Sequence, residues 1–218
     1  MNPESVTFAG PAGELEGRLH LPEGDRPVAG VVVCHPHPLM GGDLNNNVVM
    51  GVCRALVEMG MAALRFNFRG VGASAGMHDQ GRGEVEDALA ALRFMAARPE
   101  LGGMAIGLAG YSFGAGVAMK AGFADDTPRA LSVIGRARVE PDDELARRPS
   151  LPVQFVIGER DRQMAPEHAE RLSAELSAPP EIHVIAGADH FFVGREREIG
   201  ALVAAFLRSS LMSEDESA

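Results

Sequence analysis

The chemistry of this chain starts at Gly107–Gly116, GLAGYSFGAG, where Ser112 has a glycine two residues to either side. A G-x-S-x-G that closes an apolar strand and opens a helix puts its serine on a sharp, strained turn with the hydroxyl exposed, a nucleophile elbow. The same five letters also fit a plain tight turn between a strand and a helix. A serine hydroxyl is a weak nucleophile near neutral pH, so the first reading needs a base and an acid that orients it. In open α/β sheets built around such an elbow, these follow in the order serine, acid, histidine. Two residues fit: Asp161, after an apolar run in VIGERD, and His190, in AGADHFFVG after the last apolar run. Both fall at carboxyl ends of expected parallel strands, where such sheets place their ligands. Glu159 stands too close to its strand end to reach across. Asp189 neighbours His190 in sequence, so its side chain should diverge from the imidazole. Asp161 is therefore the preferred acid.

Acyl transfer also needs two N–H donors aimed at the developing oxyanion. One is the backbone N–H of Phe113, directly after the serine. The other is expected from the loop HPHPLMGG, His35–Gly42, where Pro36 and Pro38 carry no N–H. That leaves His37 as donor, with Leu39 second. His35 and His37 also form an H-x-H, but zinc would need further ligands. Asp43 and His78 are the conceivable ones, at a spacing that matches no zinc motif, so no metal is expected. FNFRGVGASAG contains G-x-G-x-x-A, Gly70–Ala75. A dinucleotide fingerprint requires a helix to open at those glycines. Polar MHDQGRG follows instead, the next helix starting near Glu84. The stretch reads as a tight loop at the rim of the site, and no cofactor is expected.

The elements that must hold these residues are legible from periodicity. VTFAG (Val6–Gly10) and LEGRLHL (Leu15–Leu21) alternate as a hairpin does. Six mostly apolar runs follow: Val28–His35, Met61–Phe68, Met104–Ser112, Ala130–Gly135, Pro152–Gly158 and Glu181–Gly187. Such runs suit strands buried on both faces. Helical stretches separate them, at 45–60, 84–99, 113–122, 165–177 and 195–212. The alternation predicts an α/β fold with a mostly parallel sheet and helices on both faces. Only about sixteen residues, Arg136–Leu151, separate two of the strands, too few for a lid domain. Residues 1–212 are expected to form one domain and 213–218, SEDESA, an acidic frayed tail.

Composition narrows the function classes. Of 218 residues, 46% are hydrophobic and 23% charged, as in ordinary globular proteins. A net charge of −10 disfavours nucleic acid and anionic membrane surfaces as partners. The two cysteines, Cys34 and Cys53, cannot build a disulfide framework. MNPESVTFAGPAGELEG lacks the basic and apolar regions of a signal peptide, and no apolar run reaches the ~20 residues of a membrane span. A cytoplasmic protein is expected.

Taken together, HPHPLMGG, NFRGVGAS, GYSFG, GERD and GADHFF resemble the marks of a group of small bacterial lidless serine hydrolases of the α/β-hydrolase superfamily, related to dienelactone hydrolases and esterases. The resemblance runs from about Val6 to Leu211. It implies an eight-stranded sheet whose second strand is antiparallel to the rest. It also implies Ser112 as nucleophile, His190 as base, Asp161 as orienting acid, and an oxyanion hole from Phe113 and the HPHP loop. Dienelactone hydrolases proper use a cysteine where this chain has Ser112. The reading is a hydrolase of short to medium soluble carboxylic esters, with Leu39, Met40 and Phe192 expected at the acyl site and Phe66 and Phe68 in the core. A thioesterase or acyltransferase with the same triad, and a non-catalytic binding protein on this fold, are the alternatives. Arg136 and Arg138 past a strand end would suit an anionic substrate, or a solvated face.

Overall fold

The computed structural model describes residues 3–24, 26–136, 150–164, 176 and 178–212. The helix expected at 165–177, the loop beyond Arg136 with Arg138, and the acidic tail lie essentially outside the described residues. The rest forms one eight-stranded sheet in the order β1-β2-β4-β3-β5-β6-β7-β8. The hairpin of β1 (Glu4–Gly10) and β2 (Gly13–His20) is antiparallel, and β2 also runs antiparallel to β4 (Ala62–Phe66). All later pairings are parallel, through β3 (Gly30–Cys34), β5 (Ile106–Tyr111), β6 (Pro128–Ile134), β7 (Val153–Gly158) and β8 (Glu181–Ile185). This is the expected topology, with β2 reversed against the parallel strands.

The central strands are buried at every position, as their unbroken apolar runs require. β8 departs from the expectation. It was read as buried on both faces, yet most of it is open to solvent. It is the edge strand, paired only with β7, and Ile182 and Val184 face outward.

Helices cover both faces. α1 (Asn47–Glu58) and α4 (Glu196–Met212) lie on one, over a core of Val31, Val33, Val52, Leu56, Ile199 and Val203. α2 (Arg82–Ala96) and α3 (Phe113–Ala124) lie on the other, over Val32, Leu64, Leu92, Val117 and Phe155. Asn46 caps α1 by accepting from the N–H groups of Val48 and Val49. Where α1 crosses α4, a Cβ on Gly51 would stand 2.8 Å from the Glu196 carbonyl and one on Gly200 2.6 Å from that of Gly51, so the helices touch backbone to backbone. At the α2 start, Glu84 reaches back to accept from the Gly81 and Asp79 N–H groups. Beside it, Arg69 grips Asp87 through Nε and Nη2, at 3.0 and 2.8 Å, tying the loop after β4 to α2.

Candidate active site

Ser112 sits between the end of β5 and the start of α3 with φ 55 and ψ −116, a backbone region non-glycine residues rarely adopt. The strain is held by what surrounds it. The Ser112 N–H donates to the Ile134 carbonyl on β6 at 2.9 Å, and its own carbonyl accepts from Ala115 in the first turn of α3. A Cβ on Gly110 would run into the Gly114 carbonyl, and one on Gly114 into the carbonyls of Cys34 and His35. Both glycines of the G-x-S-x-G are thus required by the close approach of strand and helix.

His190 and Asp161 come from the loops after β8 and β7 and meet the serine. Ser112 Oγ lies 2.9 Å from His190 Nε2, and His190 Nδ1 lies 2.8 Å from Asp161 Oδ2. An ionised carboxylate only accepts, so the hydrogen sits on Nδ1, and Nε2 accepts from the serine hydroxyl. Asp161 Oδ1 accepts from the backbone N–H groups of Gln163 and Met164 at 2.8 and 3.1 Å. Burial works to raise the Asp161 pKa, but the hydrogen bonds from His190, Gln163 and Met164 outweigh it and hold the carboxyl below its usual range. Tyr111 donates its hydroxyl to the His190 carbonyl at 2.9 Å and so fixes the backbone of the histidine loop. The competing acids are engaged elsewhere: Glu159 Oε2 accepts from Gly187 N–H and Asp189 Oδ1 from Phe191 N–H.

The HPHP loop follows β3 and ends in a single 3₁₀ turn, Pro38–Met40. The ring Nδ1 of His37 accepts the Leu39 N–H at 3.2 Å. That removes the second-choice donor for an oxyanion. The backbone N–H groups of His37 and Phe113 make no hydrogen bond among the described residues. The His37 and Phe113 rings pack 4.8 Å apart, and His78 stacks against both. His35 is fully buried, with Nε2 accepting from Phe68 N–H and Nδ1 donating to the Pro36 carbonyl. Both of its nitrogens are occupied, so it anchors the loop and has none left for a metal. Burial pushes its pKa down to about 4, only partly offset by the Pro36 carbonyl, Asp43 and Glu84.

Leu39 and Met40 are 74% and 82% exposed, on the loop beside His37. Phe192 corrects the sequence reading. It is fully buried, with φ 53, its ring 6.1 Å from Tyr111 and packed beneath Gly135. It belongs to the core. The exposed aromatic is its neighbour Phe191, 62% exposed and 5.8 Å from the His190 ring. Phe66 and Phe68 are core residues, as expected. Arg136 is buried and thus no part of a solvated face. The Gly70–Ala75 loop opens no helix; Ser74 closes it by donating to the Asn67 carbonyl at 2.7 Å.

An eight-stranded, mostly parallel sheet with a strained serine at the strand–helix turn defines an α/β hydrolase, with no lid domain among the described residues. Residues 15–211 match the dienelactone hydrolase family, and the chain belongs to that family. It is 32% identical over 216 residues to an uncharacterized protein of Rickettsia prowazekii (strain Madrid E), covering 93% of this chain and 87% of that one. An α/β serine hydrolase homologue from Coxiella burnetii is similar in structure, with TM-score 0.84, 35% identity, and coverage of 94% and 97% of the two chains. A lidless serine hydrolase from Xanthomonas campestris gives TM-score 0.83 and 30% identity, covering 97% and 96%. The protein is a hydrolase. Among the described residues no helix is long and apolar enough to cross a membrane.

Proposed function

We propose that the protein hydrolyses carboxylic esters of short to medium soluble acids through an acyl-serine intermediate. The observation that carries this reading is the Ser112–His190–Asp161 relay, at 2.9 and 2.8 Å, beside two unspent backbone N–H groups. Ser112 Oγ attacks the ester carbonyl carbon as its proton passes to His190 Nε2. The carbonyl oxygen becomes an oxyanion held by the N–H groups of Phe113 and His37. When the C–O bond breaks, the imidazolium returns that proton to the leaving alcohol. Water then attacks the acyl-serine with His190 again as base. The acid leaves and the Ser112 hydroxyl is restored. Asp161 fixes the tautomer and stabilises the imidazolium without taking the proton.

Leu39, Met40 and Phe191 give the mouth an apolar rim, and no lid domain stands among the described residues, which favours compact acyl groups over long chains. The substrate in this reading is a small molecule, and the site needs no cofactor.

The test is intact mass after incubation with a fluorophosphonate, with peptide mapping of the adduct. One adduct on Ser112, absent in Ser112→Ala and much slowed in His190→Ala, is expected. A folded protein that takes no label would overturn the mechanism. Parallel kcat/KM values for p-nitrophenyl esters and acyl-CoA thioesters check the substrate; a strong thioester preference would replace the ester reading.

A further inference from the structure

On the α1–α4 face of the sheet, away from Ser112, a cavity of about 390 Å³ is lined by Pro3, His20, Met50, Arg54, Val57, Glu58 and Arg65. Arg65 rises into it from β4 and is 6% exposed. A buried arginine is normally paired with a carboxylate. Arg65 has no carboxylate within ion-pair distance among the described residues. Three of its five N–H bonds go to neutral acceptors instead. Nε donates to His20 Nε2 at 3.0 Å, and Nη1 donates to the Leu44 carbonyl and Asn45 Oδ1 at 2.7 and 2.8 Å. Nη2 makes no hydrogen bond among the described residues, and Arg65 lines the cavity.

Asp43 lies near enough to favour the Arg65 charge but forms no ion pair with it, so among the described residues no carboxylate touches the guanidinium. His20 adds no charge: burial first, and the Arg65 charge second, push its pKa down to about 4, so the ring is neutral near neutral pH. Arg54, one turn along α1 from Met50, is exposed and has no ion pair among the described residues. Among the described residues Glu58 is the only acid on the lining, and it lies within ion-pair distance of neither arginine. The cavity therefore carries a net positive charge in a protein whose overall charge is −10. Met50, Val57 and Pro3 supply an apolar wall beside it.

We infer that this cavity binds a small organic oxyanion, its carboxylate or phosphate end seated on Arg65 Nη2 with Arg54 at the rim, and its apolar part against Met50 and Val57. Guanidinium N–H groups match the oxygens of either end group. Such a ligand puts an anion in direct contact with the guanidinium, which neither Asp43 nor Glu58 does.

The test uses the full chain at pH 7.5 and constant ionic strength, titrated with sodium phosphate or sodium butyrate against sodium chloride. Thermal unfolding and calorimetry are the readouts. A saturable rise in Tm with one of the two oxyanions is expected, and which one tells the end group. The Arg65 Nε–H resonance should shift along the same saturation curve. Met50→Glu places a carboxylate on a partly exposed wall position, where it should occupy the arginine and abolish the effect. Arg54→Ala should weaken binding about tenfold, the scale of a lost charge-assisted hydrogen bond. Ester turnover should stay the same in both variants. No saturable rise with either oxyanion overturns the inference. So does a rise that survives Met50→Glu, since the ion would then sit elsewhere.

Discussion

The Tyr111 hydroxyl donates to the backbone carbonyl of His190 at 2.9 Å. The residue just before the strained serine thereby holds the main chain of the histidine whose ring contacts the serine hydroxyl. The Ser112–His190 distance is set by this backbone tie and by the Asp161 contact, not by the two side chains alone. Burial pushes the Tyr111 phenol up to about 12, so it keeps its proton, and the tie, across the working pH range.

Ser112 should separate activity from stability. Ser112→Ala removes the nucleophile and should lower kcat/KM by at least about 10³-fold. It keeps a Cβ at φ 55, and so keeps the backbone strain. Ser112→Gly is equally inactive but relieves that strain, and should unfold at higher temperature than the alanine variant by the equivalent of about 1 kcal/mol. Thermal unfolding of the pair beside ester assays checks both parts.

The proposed oxyanion donor can be removed with little change of shape. His37 has φ −57, close to the value that proline imposes. His37→Pro deletes the N–H and should lower kcat by about 10²- to 10³-fold. His37→Ala keeps the N–H and should fall less than about tenfold by comparison. Equal losses in the two variants would move the donor away from residue 37.

Asp161→Asn should lower kcat by about 10³- to 10⁴-fold, because the amide can donate to Nδ1 and favour the wrong tautomer. It should also change the acid limb of stability. The Asp161 pKa is depressed in the fold, so its carboxylate stabilises the protein above the unfolded value of about 3.9, and that contribution is lost as pH falls through the folded value. The Tm gap between wild type and variant should therefore narrow from pH 5 to pH 3.

His35 gives a second pH dependence, in a different window. Its folded pKa of about 4 lies below the unfolded value of about 6.5. The unfolded chain takes up that proton first, so stability present above pH 6.5 is lost as pH falls toward 4. The His35 share is on the order of 3 kcal/mol. Denaturant unfolding between pH 7.5 and 4.5 should show a shallower decline in His35→Gln, from a lower starting stability.

Much of the site was legible in the sequence because chain order and strand ends constrain it. Ser112, Asp161 and His190 each follow an apolar run, and in a parallel sheet all such ends lie on one edge. In the HPHP loop the candidate donor could be narrowed in advance because Pro36 and Pro38 carry no N–H. What sequence reasoning missed has no period to read. Phe192, expected at the acyl site, takes a left-handed conformation after the last strand and is buried, while its neighbour Phe191, given no role in advance, is the exposed ring. Arg136 ends up buried, and β8 largely open, through their places relative to other elements. Hydropathy in a window of chain does not record position at a sheet edge. No sequence signal marked Arg65 as lacking a carboxylate, since that depends on what β4, β2 and the loop at Leu44 bring together.

The strand order has a consequence for how the molecule comes into being. The serine, its elbow glycines and the HPHP loop all precede β6, whose Ile134 carbonyl holds the elbow, while Asp161 and His190 follow β7 and β8, and α4 comes last. During synthesis the elbow can form while nothing is yet present to take the hydroxyl proton. On the mechanism proposed above, the nascent chain therefore holds a serine without its partners until its final strand docks.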